Sequence, residues 1–293
     1  MFRIYIKFKI YKIPGIKYVK NVIFYIFPNL AINQGFNKND QTRSYLLKNE
    51  PSHRKLDING IKSFSNMFSG EECLIIGNGP SINNIDFKKF KNIPSFAVNS
   101  FYLKSEEVNY FPTFFTIEDK HVFADNINKI KEYKVNHKFL PNIYRNKFYD
   151  DGRPEFLYYK INFDFYNGKE IKFSKHAYKE MFAGGTVTYI NFQLAYLMGF
   201  KRVYLIGLDF NYVKPKGTII DGNTWISTGD DPNHFDKSYF GEGKRYHDPQ
   251  LHRAKIAYQK ANEVFKSENK EIVNLTENTK LDVFKTEDID KYF

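Results

Sequence analysis

The stretch LIIGNGPSINNID, residues 74–86, is the segment that is most informative about the fold. Three aliphatic residues run directly into a turn that contains two glycines, Gly77 and Gly79, and a serine, Ser81. A short apolar run bounded by a turn is typical of a buried strand in a parallel sheet. Ser81 can cap a helix that begins after the turn. The spacing therefore predicts a strand, a tight turn and a helix in succession.

Similar apolar runs follow along the chain and predict further buried strands. The predicted strands cover residues 73–77, 95–101, 111–119, 201–209 and 271–276, and HKFLPNIY, residues 137–144, is a further candidate. Together they predict an α/β fold of the Rossmann-like type, with a mostly parallel sheet and helices on both faces. The single main domain is expected over residues 70–285, with an insertion rich in Tyr, Phe and Lys around 120–180.

Two helices between these strands have clear end signals in the sequence. One is expected to begin at Thr186 or Thr188 and to end at Gly199. The other is expected to be capped by Asp248, with Pro249 at its first position. Strand–helix–strand units of this kind predict right-handed crossovers between parallel strands.

Composition restricts the class of protein. The chain has 293 residues, of which 42% are hydrophobic, so a large core is expected and global disorder is not. The single cysteine, Cys73, rules out a disulfide framework and a zinc site built on cysteines. Cys73 precedes an apolar run and is expected to be a small buried side chain. A reducing, cytoplasmic location fits this pattern.

The net charge of +11 is concentrated near the N-terminus. The first 39 residues contain seven lysines and arginines and no acidic residue, so the rest of the chain is only mildly basic and nucleic acid is not an expected partner. Residues 1–45 resemble neither a signal peptide nor a transmembrane helix. They are predicted to be an anchor to an anionic membrane surface, on the inner face of the cell membrane, or an extra element packed on the core. Residues 46–69 are a polar connector.

The glycine turn is a candidate site for a nucleotide phosphate. In open α/β sheets ligands bind beyond the carboxyl ends of the strands, and Gly77 and Gly79 let the backbone approach closely. Ser81 and the following backbone amides suit a phosphate, and Asn78 adds an amide that can donate and accept. The turn has neither the P-loop pattern nor the full dinucleotide fingerprint. The alternative is an ordinary tight turn from strand to helix.

Acidic and histidine side chains are expected at the same edge of the sheet. Three acids, Glu118, Asp119 and Asp209, lie at the ends of predicted strands. They can orient sugar hydroxyls or bind Mg²⁺, or else cap helices and form salt bridges in loops. Three histidines, His234, His247 and His252, lie around the loop 213–248 and the helix after it. A histidine suits a general base near neutral pH, and His247 is the preferred candidate because it ends the loop. Their spacing fits no standard zinc signature, and no metal is expected.

The turn residues IIGNGPSINNID resemble the GNGPSL motif of the single-domain bacterial sialyltransferases, which use CMP-activated sugars. They also resemble a wider group related to the 6-hydroxymethylpterin diphosphokinases, which includes the motility-associated flagellin glycosyltransferases. The segments GGTVTYINFQLAYLMGFKRVYLIGLDF and DPNHFDKSYFGEGKRYHDPQLHRAKIAYQKA are similar to the wider group. The resemblance covers about residues 70–285, with gaps in 120–180, and is not specific for one substrate.

The resemblance implies roles for particular residues. Asn78 matches an asparagine that contacts the nucleotide or phosphate of the donor, and Asn99, which Ser100 follows, matches a second one. Tyr239 and Tyr212 match, loosely, tyrosines that hold the phosphate of the leaving CMP. The motif GGT implies that Gly185 and Thr186 contact donor or acceptor. Near TIED this chain has Glu118 and Asp119 where the sialyltransferases carry a third asparagine.

The implied activity is glycosyl transfer in the assembly of a surface polysaccharide or glycoprotein. The partners would be a nucleotide-sugar donor, such as a CMP-nonulosonate, and a glycan acceptor, and no cofactor would be required. One alternative is a pterin-type diphosphokinase, which would need ATP with Mg²⁺ held by Asp119 and Asp209. Another is a nucleotide-binding scaffold protein without catalysis. The sequence leaves the sugar, the acceptor and the oligomeric state open.

Overall fold

The computed structural model describes residues 58–147 and 155–293. The chain divides into two compact units, one of which comprises Met1–Lys55 and Asn142–Gly152. Of that unit the described part is a short 3-10 helix, Asn142–Lys147. The predicted membrane anchor, residues 1–45, lies outside the described residues and stays a prediction. The larger unit comprises Leu56–Pro141 and Arg153–Phe293.

Strands and helices are interspersed along the described part of this unit. The strands are β1 (Glu72–Ile76), β2 (Ser95–Val98), β3 (Phe114–Thr116), β4 (His137–Pro141), β5 (Phe156–Tyr159), β6 (Ile161–Asn162), β7 (Met181–Phe182), β8 (Arg202–Ile206), β9 (Ile219–Asp221), β10 (Thr224–Ile226), β11 (Arg245–His247), β12 (Glu271–Asn274) and β13 (Lys285–Thr286). The helices are α1 (Ile58–Lys62), α2 (Tyr102–Val108), α3 (Lys120–Asp125), α4 (Ile127–Glu132), α5 (Val187–Met198) and α6 (Leu251–Ser267).

Within the described residues, eight strands form one parallel sheet in the order β13-β12-β8-β1-β2-β3-β4-β5. The chain builds outward from β1 to β5 on one side and then returns to place β8 on the other side of β1. The strand order therefore reverses at β1, where Ile76 is in register with Ala97 of β2 and Ile206 of β8. Ligands of open α/β sheets bind at such a reversal. The predicted α/β fold with a mostly parallel sheet is confirmed.

The sheet is buried because its central strands are apolar along their whole length. Residues Cys73 to Ile76 of β1 have no exposed surface, and neither do Phe96 and Phe114 on β2 and β3, whose ring centroids lie 4.6 Å apart. Burial raises the pKa of the Cys73 thiol, so this side chain behaves as the small apolar residue that was expected. An apolar strand of this kind requires cover on both faces, as parallel sheets have.

The α5 helix has the ends that the sequence predicts, whereas α6 does not. Thr186 is the N-cap of α5, its hydroxyl accepting from the Thr188 amide, and Gly199 ends the helix at φ +89°. The expected cap of α6 at Asp248 is wrong, since the helix begins at Leu251 with Gln250 as N-cap. The Asp248 amide instead donates to the carbonyl of Asn223, 3.1 Å away, which keeps this residue on the preceding loop.

The expected helix after the glycine turn, with Ser81 as its cap, is also wrong. Residues Pro80–Asn84 form a 3-10 helix whose N-cap is Gly79. The Ser81 hydroxyl does not cap this helix, because it donates to the carboxylate of Asp209. Extended backbone at Ile85 then ends the turn.

Several predicted strands have different limits in the structure. The second strand ends at Val98, because Asn99 adopts the left-handed conformation at φ +53°, and the third ends at Thr116. The strand before Asp209 ends at Ile206.

The segment 120–180 supplies β4 and β5 of the main sheet, and the loop 213–248 forms an antiparallel sheet in the order β11-β10-β9. Residues 271–276 are not the last strand, because β13 follows beside β12. No helix in the described part of the chain is long and apolar enough to cross a membrane.

Candidate functional site

The glycine turn after β1 packs against the carboxyl end of β8. The Gly77 amide donates to the carbonyl of Ile206 at 2.8 Å, and the Gly79 amide donates to that of Gly207 at 2.9 Å. A Cβ on Gly77 would overlap with the carbonyl group of Gly207 and would lie 2.9 Å from a methyl group of Leu208. Gly77 is therefore required by the close approach of two backbone segments.

The rest of the turn encloses a carboxylate of the same chain. Asp209 accepts hydrogen bonds from the Ser81 amide at 3.1 Å and from the Ser81 hydroxyl at 2.8 Å. A Cβ on Gly79 would overlap with this carboxylate. The structure thus brings two predicted site residues, Ser81 and Asp209, into direct contact. An anion that binds the Ser81 amide would have to displace the Asp209 carboxylate.

Asn78 connects the turn to β2 and to the loop 213–248. Its amide nitrogen donates to the carbonyl of Val98 at 3.0 Å and to the hydroxyl of Tyr239 at 2.8 Å. The Ser100 amide donates to the same hydroxyl at 3.5 Å. Burial is the main cause that raises the pKa of Tyr239, so the phenol is neutral. Three predicted nucleotide-binding residues, Asn78, Ser100 and Tyr239, therefore meet at the buried hydroxyl of Tyr239.

Two side-chain oxygens beside that hydroxyl have no hydrogen-bond partner within the described part of the chain. They are Oδ1 of Asn78 and Oδ1 of Asn99, which follow β1 and β2, and both atoms are buried. A buried acceptor without a partner costs free energy, and native structures keep such groups where a ligand or water satisfies them. These oxygens can accept hydrogen bonds from a ligand at the carboxyl edge of the sheet.

His247 and Asp119 form a hydrogen-bonded pair at the same side of the fold. Nδ1 of His247, on β11, lies 2.5 Å from Oδ2 of Asp119. The other oxygen of Asp119 accepts from the amides of His121 at 2.6 Å and Val122 at 3.1 Å, so the residue also caps α3. The His247 side chain is 39% exposed, and Asp119 is 21% exposed. The carboxylate is therefore fixed by its helix while the imidazole remains open to solvent.

A second histidine, which the sequence analysis did not single out, packs against this pair. His121 is 8% exposed, and its ring centroid lies 4.7 Å from that of His247. Nε2 of His121 lies 3.2 Å from the hydroxyl of Thr224, which is the register partner of His247 in the antiparallel sheet. A lone histidine in the first turn of a helix carries no recognisable motif. Its position two residues after Asp119 is the only sequence signal that could have drawn attention to it.

The pKa values of Asp119 and His121 depend on burial and on neighbouring charges. Burial alone would raise the pKa of Asp119, but the adjacent His247, then His121 and the helix amides, lower it below its usual range. Burial, followed by the charge of His247, lowers the pKa of His121 to about 4. At neutral pH Asp119 is ionised and His121 is neutral. An ionised carboxylate beside Nδ1 favours the His247 tautomer that carries its hydrogen on Nδ1.

We expect the burial of neutral His121 to make the fold sensitive to mild acid. Its folded pKa of about 4 lies below the ordinary value of 6.5, so below pH 6.5 the unfolded state binds the extra proton. The free energy of unfolding should fall by about 1–3 kcal/mol between pH 6.5 and 4 through this residue. Denaturant titrations of wild type and His121→Gln measure the effect, and the substitution should flatten the decline. An equal decline in His121→Gln and in the exposed control His252→Gln would contradict the assignment.

The two other candidate histidines have different surroundings. His234 bonds through Nδ1 to the buried carboxylate of Asp231 at 2.7 Å and stacks on the ring of Tyr239, with centroids 4.0 Å apart. Its side chain is 16% exposed, so it packs within the loop. His252 is exposed in the first turn of α6. Of the three, His247 combines an orienting carboxylate with the most accessible bonded ring.

The predicted Gly185–Thr186 turn lies at the start of α5, where Thr186 is the N-cap. Gly185, at φ +82°, packs against the backbone of Ala254 in the first turn of α6. The Thr186 hydroxyl lies 3.3 Å from that of Tyr258, one turn further along α6. Both residues therefore hold α5 against α6, and any contact with a donor or acceptor stays a prediction.

Acidic groups that could hold a metal are dispersed. Among residues 58–147 and 155–293, no three His, Cys, Asp or Glu side chains are placed to bind one ion. Asp119 and Asp209, which the kinase alternative assigns to Mg²⁺, bond to His247 and Ser81 respectively. These carboxylates do not by themselves form a magnesium site.

The family model described as 6-hydroxymethylpterin diphosphokinase MptE-like matches residues 45–215, which is more than half of the chain. The chain belongs to this family. The matched region contains the glycine turn, Asp119 and Asp209, so the predicted membership of the diphosphokinase-like superfamily is confirmed. No curated protein matches the sequence.

Among solved structures, the MptE-like chain is similar to the MAf glycosyltransferase from Magnetospirillum magneticum AMB-1. The identity is 12%, the TM-score is 0.47, and the match covers 86% of this chain and 42% of the other. The chain therefore spans less than half the length of that protein.

Proposed function

We propose that this MptE-like protein is a glycosyltransferase in which His247 is the general base. The observation that carries the proposal is the 2.5 Å hydrogen bond between Nδ1 of His247 and Asp119, which leaves Nε2 on a partly exposed ring. A carboxylate in this position selects the tautomer that accepts a proton at Nε2 and stabilises the imidazolium that results. The resemblance of the glycine turn to the sialyltransferase motif supports sugar transfer.

The chemistry is a single displacement at the anomeric carbon. The acceptor hydroxyl gives its proton to Nε2 of His247 while its oxygen forms the new bond to that carbon. The bond between the sugar and the nucleotide phosphate breaks, and the phosphate oxygen leaves with the electron pair. Such a step inverts the anomeric configuration. A CMP-nonulosonate suits this site because its leaving phosphate needs little assistance from an acid.

The nucleotide would be bound at the reversal of the sheet. Oδ1 of Asn78 and Oδ1 of Asn99 are buried acceptors without partners among the described residues, and the amide nitrogen of Asn78 donates to the Tyr239 hydroxyl. They suit hydrogen-bond donors of a nucleobase or ribose. Ser81 would contribute a phosphate contact only if Asp209 moved from its amide. A cofactor is not part of the proposed step.

The family description favours a second candidate, pyrophosphoryl transfer from ATP to a pterin alcohol. This reaction requires Mg²⁺, which would be bound jointly by the protein and the nucleotide phosphates. Asp119 would then be a ligand of the ion instead of the partner of His247. The two candidates therefore differ in nucleotide and in metal requirement.

Ligand-induced stabilisation separates these candidates. CMP, CDP, UDP, GDP and ATP are each added with and without Mg²⁺, and the melting temperature of the full chain is measured. A ligand at about a hundred times its dissociation constant adds roughly 2.7 kcal/mol to the free energy of unfolding. We expect a metal-independent response to CMP. A response restricted to ATP with Mg²⁺ would contradict the glycosyltransferase and favour the kinase.

We expect Asp119→Asn to lower kcat by roughly 10²–10⁴-fold, with little change in stability. Asparagine is as good an N-cap as aspartate, so α3 keeps its cap. Its amide group, however, cannot select the same His247 tautomer or stabilise the imidazolium. Initial rates at saturating donor measure the loss, and thermal unfolding controls for folding. Unchanged kcat in a folded Asp119→Asn variant would exclude the orienting role.

A further inference from the structure

The antiparallel sheet that carries His247 has an outer edge of unusual composition. His247 on β11 pairs with Thr224 on β10, and Trp225 of β10 pairs with Ile220 on β9. Adjacent strands lie about 4.8 Å apart, so β9 runs about 10 Å from the strand of His247. Whatever surface contacts β9 therefore lies close to the candidate base.

Exposed apolar side chains are concentrated at this edge. Val213 is 62% exposed, Ile219 is 54% exposed and Ile220 is 49% exposed. Six large hydrophobic residues are exposed in the described part of the chain, and these three lie within eight positions. Isolated exposed hydrophobic residues are normal, whereas a cluster of them marks a surface that contacts another protein or a membrane.

Hydrogen bonds fix the backbone beside these side chains. The Asn233 side chain binds both backbone groups of Val213, accepting from its amide at 2.7 Å and donating to its carbonyl at 2.8 Å. A β-turn then follows in which the Thr218 amide donates to Pro215 and Gly217 adopts φ +78°. Val213 thus lies just before a defined β-turn, and Ile219 begins the β9–β10 hairpin just after it.

Two lysines lie among these apolar residues. Lys214 and Lys216 are both exposed, and Nζ of Lys214 lies 5.4 Å from the ring centroid of Trp225. Asp221, the acid of β9, is at the opposite end of the strand from this turn. Apolar side chains flanked by lysines fit the boundary of a bilayer whose surface is anionic.

We propose that the hairpin surface, defined as Val213, Lys214, Lys216, Ile219 and Ile220, docks on an anionic membrane. The edge of β9 that faces away from β10 enters the boundary between headgroups and acyl chains, so that Ile219 on one face of the strand and Ile220 on the other both contact it. The lysines contact anionic headgroups. This contact is distinct from any made by residues 1–45. If the proposed function holds, docking places His247 near the bilayer and suits an acceptor carried on a lipid.

Trp225 is the single tryptophan of the chain, so its fluorescence reports on this hairpin alone. The full chain is mixed with vesicles of phosphatidylcholine and phosphatidylglycerol that contain brominated acyl chains, without nucleotide or acceptor. We expect quenching of Trp225 in anionic vesicles and much less with phosphatidylcholine alone. Because no substrate is present, the result is independent of the proposed activity.

Matched variants complete the test. Ile219→Ser with Ile220→Ser should abolish the quenching, whereas Ile256→Ser, which removes a 42% exposed isoleucine from α6, should leave it unchanged. Replacing Lys214 and Lys216 by glutamine should weaken binding in sedimentation by roughly thirtyfold, at about 1 kcal/mol per lysine. A chain that sediments with anionic vesicles while Trp225 stays unquenched would overturn the proposal, as would a chain that does not bind them.

Discussion

Replacing His247 by asparagine is expected to lower kcat by about 10²–10⁴-fold while nucleotide affinity stays unchanged. The reason is that His247 alone among the three candidates has an exposed ring held by a carboxylate, at 2.5 Å from Asp119. Without an acceptor at Nε2, the acceptor hydroxyl keeps its proton during attack. Asparagine can still donate to Asp119, so the antiparallel sheet and the cap of α3 should persist.

Initial rates at saturating donor measure this loss, and calorimetric titration with the nucleotide measures affinity. The matched control is His252→Asn, five residues further along and exposed on α6. Its rate should stay within about twofold of wild type, as is usual for a surface substitution without a catalytic role. An active His247→Asn together with an inactive His252→Asn would show that the base lies on α6 and would refute the assignment to His247.

Gly77→Ala is expected to lower the free energy of unfolding by about 3 kcal/mol or more. The new methyl group would overlap with the carbonyl of Gly207, which is backbone and cannot rotate away. Relief requires β1 and β8 to separate at their carboxyl ends, at the reversal point of the sheet. The hydrogen bonds from the Gly77 and Gly79 amides, at 2.8 and 2.9 Å, would lengthen with that movement.

Chemical denaturation of Gly77→Ala beside Gly229→Ala measures the effect. A Cβ on Gly229 meets nothing within 4 Å, so that variant should stay within about 0.5 kcal/mol of wild type. It shares with Gly77→Ala any stabilisation that comes from a less flexible unfolded chain. Equal stability of the two variants would mean that the close contact between the strand ends does not exist in solution.

The fold could be predicted because its signals are local. Each central strand is a continuous apolar run, and α5 has a threonine at its start and a glycine at its end. The limits of strands were less predictable, since Asn99 leaves β2 through a left-handed backbone conformation that its sequence neighbours do not indicate. The cap of α6 was misassigned because Asp248 has a tertiary partner, the carbonyl of Asn223.

The candidate site could be predicted only in part, because its contacts join distant positions. Asp119 and His247 were each singled out, but 128 positions separate them, and no spacing rule brings α3 against β11. The glycine turn was ambiguous for a physical reason. Glycine permits the close approach of any acceptor group, and here Ser81 contacts the carboxylate of Asp209 where a phosphate had been expected.

Catalysis of sugar transfer from a nucleotide donor by His247, held by the Asp119 carboxylate, can be followed by ³¹P NMR. The chain is incubated with CMP-, UDP- and GDP-sugars, and separately with ATP, Mg²⁺ and 6-hydroxymethylpterin. We expect wild type to release free CMP from a CMP-sugar and His247→Asn to release almost none. Conversion of ATP to AMP with a pterin diphosphate, and intact nucleotide sugars, would contradict this expectation.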